Sequence, residues 1–373
     1  MKIAAYLLII LICSSFNFSV NKKAVVIGYV GGYRGLVNTS AIEVEKLTHI
    51  NYAFVDIKDN KAWLHQERTD TVNFRNLNQL RSRNRDIKIL ISIGGWSWSG
   101  KFSDAVRSDT GRTIFAKSAV AIIDKYKLDG IDIDWEYPGL HGAQGNVFRP
   151  EDKENYTLMF KALRAELDDL ERSTERKYLL TTAVGAFPGF VSHTEMGKAQ
   201  QYLDFVNLMT YDFGGSPSVH QSNLFPSSDY EQENSADKAF NDFTKAGVPA
   251  DKLVLGIPFY GRGYLVEDDR HHGLGRKVIN SIKSGGFTFI SDSLVNKKGY
   301  KRFWDRKAKV PYLFNKKERH FIAYDDQRSV KEKCAYVQKK KMAGVMYWEH
   351  DSDLKGYLLA EINKFFNRRK ADN

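Results

Sequence analysis

Cysteine is nearly missing from this 373-residue chain: Cys13 and Cys334 are the only two. A disulfide scaffold is therefore excluded. Cys334 reads as a small buried hydrophobe, because Cys13 falls in a segment expected to be removed. Proline is sparse as well, eight residues thinly spread, and no proline- or serine-rich linker marks an appended module. There is no repeat of fixed period. No glycine-rich phosphate loop follows the first strand candidate, since Gly28, Gly31 and Gly32 miss the dinucleotide spacing. Long hydrophobic runs are absent except for Ile3 to Ile12 behind Lys2. That run is shorter than the roughly 20 apolar residues a bilayer requires. It fits the core of a secretory signal, so residues 1–20 are expected to be cleaved and the protein exported. Cys13 followed by Ser14 and Ser15 leaves a lipid anchor at Cys13 as a second outcome, although Ile12 is bulky for that processing.

What is present is a folded, aromatic, basic chain. Hydrophobic residues make up 42%, and 23 Phe, 19 Tyr and 6 Trp supply ample surface for a core, which excludes disorder as the main state. Lys and Arg number 56 against 45 Asp and Glu, a net charge of +11. These charges are dispersed and the basic runs are short, so a solvated basic surface is expected and no nucleic-acid partner. The chain is expected to act as a monomer, without a transmembrane segment.

Short β-branched stretches alternate with longer helical patterns. The strand candidates are Ala24 to Val30, His49 to Ile57, Ile87 to Ile93, Gly130 to Glu136, Tyr178 to Val184, Phe205 to Tyr211, Leu253 to Pro258 and Met342 to Trp348. Eight strand–helix units predict a (β/α)8 TIM barrel of the α/β class, with its chemistry at the C-terminal strand ends. From Gly261 to His320 the rhythm breaks into a basic, aromatic, glycine-containing stretch too long for a loop. It predicts a small α+β lobe (261–320) inserted between strands 7 and 8, with 21–260 and 321–373 forming the barrel.

The fourth strand candidate carries the chemistry: Asp129, Asp132, Asp134 and Glu136, with Ile131, Ile133 and Trp135 between them. Alternation puts Asp132, Asp134 and Glu136 on one face and the apolar set on the other. Like charges about 6–7 Å apart and partly desolvated do not all ionise freely. Such a row makes sense where its last member, Glu136, is kept protonated as a general acid. Asp129 has the opposite parity and reads as structural. A metal reading of Asp-x-Asp, with Mg or Mn against a sugar-nucleotide diphosphate, lacks a preceding nucleotide-binding half. His271 and His272 have no third ligand at metal spacing; no metal and no cofactor are expected.

Asp129 to Glu136 resembles the D-x-x-D-x-D-x-E signature of glycoside hydrolase family 18, the chitinases and their relatives. Ser92-Ile-Gly94-Gly95-Trp96, Met209-Thr-Tyr211-Asp212-Phe-Gly-Gly215, Gly256-Ile-Pro258-Phe-Tyr260-Gly261-Arg262 and Tyr347-Trp348-Glu349 are similar to that family's other motifs, in order along the chain. Gly214 departs from it, standing where many relatives carry a larger polar residue. The resemblance implies a substrate-assisted retaining glycosidase acting on chitin or N-acetylglucosamine oligosaccharides. Glu136 would be the acid, Asp134 would hold the substrate acetamide, Asp132 would share a proton with Asp134, and Tyr211 would bind the acetamide oxygen. Asp212 and Met209 would bind the sugar over a Trp348 floor. Trp96, Gly95, Tyr137, Phe54, Tyr29 and Tyr264 are candidates for further subsites. Arg262 either reaches sugar hydroxyls or closes a salt bridge at the base of the lobe. An endo-β-N-acetylglucosaminidase on N-glycans and a non-catalytic chitin-binding lectin remain as alternatives.

Overall fold

The computed structural model describes residues 23–367; the expected signal segment and Cys13 lie outside them. Fourteen strands are assigned among these residues. They are β1 (Val25–Gly31), β2 (His49–Lys58), the short β3 (Lys61–Trp63), β4 (Lys88–Gly94), β5 (Gly130–Asp134), β6 (Leu179–Gly185) and β7 (Phe205–Met209). After these come β8 (Leu253–Pro258), β9 (Arg262–Val266), β10 (Val278–Ile282), β11 (Tyr300–Asp305), β12 (Val310–Asn315), β13 (His320–Ala323) and β14 (Gly344–Trp348). Eight of them pair in parallel in the order β1, β2, β4, β5, β6, β7, β8, β14, and β14 returns to β1. The result is the closed (β/α)8 barrel that the strand–helix rhythm predicts.

Two apolar layers hold it. Inside, Val25, Ile27, Tyr29, Ala53, Phe205, Val254 and Met346 fill the barrel. Outside, the opposite strand faces meet the helices; Trp135 stacks on Phe102 at 5.1 Å and lies 6.0 Å from Tyr156. Burial on both faces explains why β5 and its neighbours read as apolar runs apart from their inward polar residues. The flanking helices begin where local chemistry supplies a cap. Ser108 accepts from the Gly111 N–H ahead of Asp109–Lys125, and Ser235 accepts from Lys238 ahead of Ala236–Lys245. Asp326 and Ser329 form a capping box at the start of Gln327–Lys339.

Between β8 and β14 the chain leaves the barrel and builds a five-stranded antiparallel sheet, ordered β10, β9, β13, β12, β11, with a helix at Phe287–Ser293. This is the expected α+β insertion. Its sheet runs on to Ala323, three residues past the expected boundary. A buried polar segment mortises the lobe to the barrel. Ser218 donates to Gly273 O, Gln221 to Tyr260 O and Ala323 O, and Ser222 to Asp325.

Two strands end sooner than expected: β5 stops at Asp134 and β7 at Met209. Glu136 and Tyr211 therefore stand just beyond the sheet, where the backbone is free to turn. Cys334 is free and buried, as expected. Among the described residues no helix is long and apolar enough to cross a membrane.

Candidate active site

β5 points Asp132 and Asp134 into the barrel, 0% and 4% exposed, and Glu136 follows, half-buried at the mouth. The alternation expected from the sequence is thus realised along the strand and carried past its end. Asp132 is the deepest and the best satisfied. Its Oδ2 accepts from Tyr29 (2.9 Å) and Ser92 (2.7 Å), and its Oδ1 from Thr181 (2.6 Å) and Asn207 (3.2 Å). Burial still raises its pKa, against the pull of those four donors. Asp134 has no such company. Its Oδ1 is buried without a hydrogen-bond partner, and burial, then the charges of Glu136 and Asp132, push its pKa well up. Burial carries Glu136 from the ordinary 4.5 to about 7, with Asp212 adding to the shift and a hydrogen bond from Tyr137 opposing it. No cation offsets the row: among the described residues no Lys, Arg or His forms an ion pair with any of its three members.

The backbone at Glu136 is held from several sides. Its N–H donates to Ser99 Oγ (2.9 Å), which itself donates to Asp134 O and Gly95 O, and Asn146 donates to Glu136 O (3.1 Å). Gly94 and Gly95 take positive φ of 108° and 79°. A Cβ on Gly95 would lie 2.6 Å from the Phe54 ring. Gly95 therefore leaves room for the Phe54 ring of β2 to pack against the turn after β4, space that any side chain at position 95 would fill.

The aromatic candidates divide into three groups. Trp348 is half-buried at the end of β14 and lies beside Phe54 (5.4 Å), Tyr29 (5.7 Å) and Tyr33 (6.4 Å, planes within 5°). Trp96 is 52% exposed, with Tyr137 6.4 Å from it, so the two flank the acid on the β4–β5 side. Tyr29 and Tyr264 do not fit the expected role. Tyr29 is 2% exposed and bound to Asp132, supporting the carboxylates from beneath. Tyr264 belongs to the core of the lobe. Its hydroxyl lies 2.9 Å from where a Gly214 Cβ would stand, so it occupies the space that a side chain at position 214 would need.

At the base of the lobe Arg262 grips Asp212 with two hydrogen bonds, 2.7 and 2.6 Å, and its guanidinium lies 5.1 Å from the Tyr260 ring centre. The salt-bridge alternative for Arg262 is the one observed. Asp212 itself sits at φ 57°. Tyr211 packs edge-on to Tyr260 at 6.4 Å and reaches Met346 Sδ at 4.0 Å, with Met209 partly buried nearby.

Sequence reasoning passed over several participants. Thr181 and Asn207 complete the shell of Asp132, and Asn51 lies buried in the same barrel layer with both amide atoms unpartnered. Strand parity could have found all three, since each has the inward parity of its strand: Thr181 directly opposite Asp132 on β6, Asn207 opposite Ala183 on β7, and Asn51 opposite Tyr29 on β2. Tyr33 and Arg34 were missed too; both bind Glu349, beside Trp348. They lie in a single 3-10 turn, Gly32–Arg34, too short to carry a periodicity that would flag them. Among the described residues no three His, Cys, Asp or Glu side chains gather in a metal-ligating group, and His272 stacks on Phe303 at 4.0 Å.

Residues 25–353 match the family model described as glycosyl hydrolases family 18. Chitinase A1 of Niallia circulans is 36% identical over 88% of this chain, which spans little more than half of that relative (56%). Mouse chitotriosidase-1 is 33% identical over 82% of the chain and 67% of its own length. Among solved structures, a glycoside hydrolase family 18 N-acetylglucosaminidase from Paenibacillus barengoltzii superposes with a TM-score of 0.85. It is 37% identical, over 92% of this chain and 99% of that one.

Proposed function

This chain belongs to the glycosyl hydrolases family 18, and from that membership we propose that it is an exported enzyme cleaving β-1,4 linkages between N-acetylglucosamine units of chitin and its oligosaccharides. The barrel carries the reaction and the lobe, whose sheet runs on to Ala323, forms one wall. One observation carries the reading most: Glu136 sits at the mouth with its carboxyl raised to about 7 and no cation to lower it. It is thereby suited to hold a proton at neutral pH and give it to the glycosidic oxygen.

Asp134 supports the substrate-assisted route over a direct carboxylate attack. It is 4% exposed and lies below the acid, a poor position for reaching an anomeric carbon. The substrate's 2-acetamido oxygen attacks that carbon as the leaving group takes the proton from Glu136. Water then opens the oxazolinium ion, Glu136 removing its proton, with retention at the anomeric carbon. Tethering the nucleophile within the sugar removes much of the entropy cost of an encounter. Asp134 receives the acetamide N–H and shares a proton with Asp132, which its four donors hold in place beneath it. Tyr211 donates to the acetamide oxygen. Asp212, oriented by Arg262, and Met209 line the reacting sugar over Trp348, while Trp96 and Tyr137 meet the leaving group.

The test is fluorogenic release from N-acetylglucosamine, chitobiose, chitotriose and N-glycan-core conjugates, with the first product anomer read by NMR. Release from the chitin-type conjugates with the β-anomer first is expected. Binding without release would point to a lectin, and an α-anomer would overturn the retaining mechanism. A second reading, removal of single N-acetylglucosamine units, is favoured by the match to the P. barengoltzii enzyme along 99% of its length. Faster release from the monosaccharide conjugate than from chitobiose would select it.

A further inference from the structure

The positive charge of the chain is not shared between its two parts. Between positions 261 and 320 there are 15 Lys and Arg against six Asp and Glu, +9 of the total +11. One-sixth of the sequence thus carries most of the charge, and the barrel is close to neutral.

Within the lobe the two kinds of cation are used differently. Four arginines are bound inside the molecule: Arg262 to Asp212, Arg270 to Asp268, Arg276 to Glu267 and Asp268, and Arg302 to Asp326. Several lysines are free, and topology collects them. Tyr300 pairs with Asn315 and Lys301 with Phe314 across β11 and β12, so the turn before β11 and the turn after β12 lie side by side. Asn315 Nδ2 donates to Lys298 O at 3.0 Å and joins the two turns directly. That end of the sheet therefore gathers Lys297, Lys298, Lys301, Lys316, Lys317 and Arg319, all exposed. Among the described residues only Lys316 of these six meets a carboxylate, Asp269 at 3.1 Å. Glu318 is the single acid in the cluster, and Asp292 nearby is already taken by Lys355. Lys297 and Arg319 donate only to backbone carbonyls, and Lys298 reaches no closer than 6.0 Å to the ring centre of Phe289.

Five cations without a carboxylate partner, beside one paired lysine and the single acid Glu318, repel one another on adjacent turns, a cost that a bound polyanion removes. We propose that this end of the lobe is a docking surface for an anionic polysaccharide, which holds the enzyme within a charged matrix while the barrel works on neutral chitin-type chains. The free groups are mostly lysine ammoniums, point charges without the planar fork that reads phosphate or base edges. Such charges suit a polymer recognised by density alone. In the lobe the only large exposed hydrophobics are Ile279 and Phe289, too few for insertion into a lipid surface.

The full chain and two quadruple variants decide it. One replaces Lys297, Lys298, Lys301 and Lys317 by Glu; the other replaces Lys117, Lys161, Lys245 and Lys331, exposed on barrel helices, by Glu. Affinity for a sulfated polysaccharide is measured against salt, beside anionic lipid vesicles and duplex DNA. The lobe variant is expected to lose at least about tenfold in affinity at 0.1 M salt and most of the salt dependence, with the barrel variant much less affected. Hydrolysis of a soluble fluorogenic oligosaccharide is expected to stay unchanged in both. Equal losses in the two variants would reduce the effect to net charge and overturn the proposal. So would tighter binding to vesicles or DNA than to the polysaccharide. A wild type that does not bind the polysaccharide at all would overturn it too, without touching the assignment of the catalytic row.

Discussion

Asp134 and Asp325 are both buried carboxylates, and the molecule treats them in opposite ways. Asp325, in the seam between lobe and barrel, receives Lys333 Nζ at 2.7 Å and the hydroxyls of Ser222 and Ser329 at 2.6 Å each. Asp305 in the same seam is held below the usual carboxylate range, despite burial, by His220, Ser227 and the Ala308 N–H. Asp129, just ahead of β5, is clasped by Arg81 and Arg176. Five residues on, Asp134 keeps an oxygen with no partner, and Glu136 meets no cation. A carboxylate that only holds the fold together is given donors or a countercharge, because an isolated buried charge is costly. One that must hold and release a proton is left without them.

The largest effect that can break this comparison is on turnover. Glu136→Gln keeps the shape and removes the transferable proton, so kcat should fall by about 10²- to 10⁴-fold. Thermal melting should show no loss of stability; a large loss would mean the residue is structural after all. Next comes the contrast in stability. Lys333→Met strands Asp325 in the seam and should cost about 3–5 kcal/mol in urea unfolding. Asp134→Asn replaces a buried carboxyl that has an unpartnered oxygen and should cost no more than about 1 kcal/mol, or gain stability. Equal losses from the two would end the distinction drawn here.

The pH dependence sharpens the same point more gently. With Glu136 titrating near 7, the rate should fall as pH rises through about 7, because the acid loses its proton. The folded-state pKa stands above the ordinary 4.5, so the native state holds this proton more tightly than the unfolded chain. The resulting stability is fully present below about 4.5 and is lost as pH rises through about 7. Melting temperature against pH should show that decline, and Glu136→Gln should flatten it. The smallest effect belongs to Trp96→Ala. Loss of one exposed ring should raise KM for oligosaccharides by about fivefold, equivalent to about 1 kcal/mol, with kcat for short fluorogenic conjugates little changed.

Much of the barrel was legible because a parallel sheet buried on both faces writes itself as repeated apolar runs. The acidic row was legible for the same reason: three carboxylates at period two stand out against Ile131, Ile133 and Trp135. The partners of Asp132 were harder to see, because they come one each from β1, β4, β6 and β7. Tyr29 looked like a sugar platform because its residue type fits one; only its depth below the mouth gives it to Asp132. Arg262 and Asp212 are 50 residues apart, and nothing in either segment alone announces their pairing. Both strands that ended early, β5 and β7, did so where the chain leaves the ladder, a boundary that apolar patterning places only to within a few residues.

The central claim is that Glu136 holds its proton near neutral pH because burial is not countered by a cation. It is tested most directly by ¹³C NMR titration of glutamate side-chain carboxyls in the wild type, with Glu136→Gln identifying the resonance. A midpoint near 7 is predicted. A midpoint between about 4 and 5, the range of an ordinary glutamate, would contradict the account.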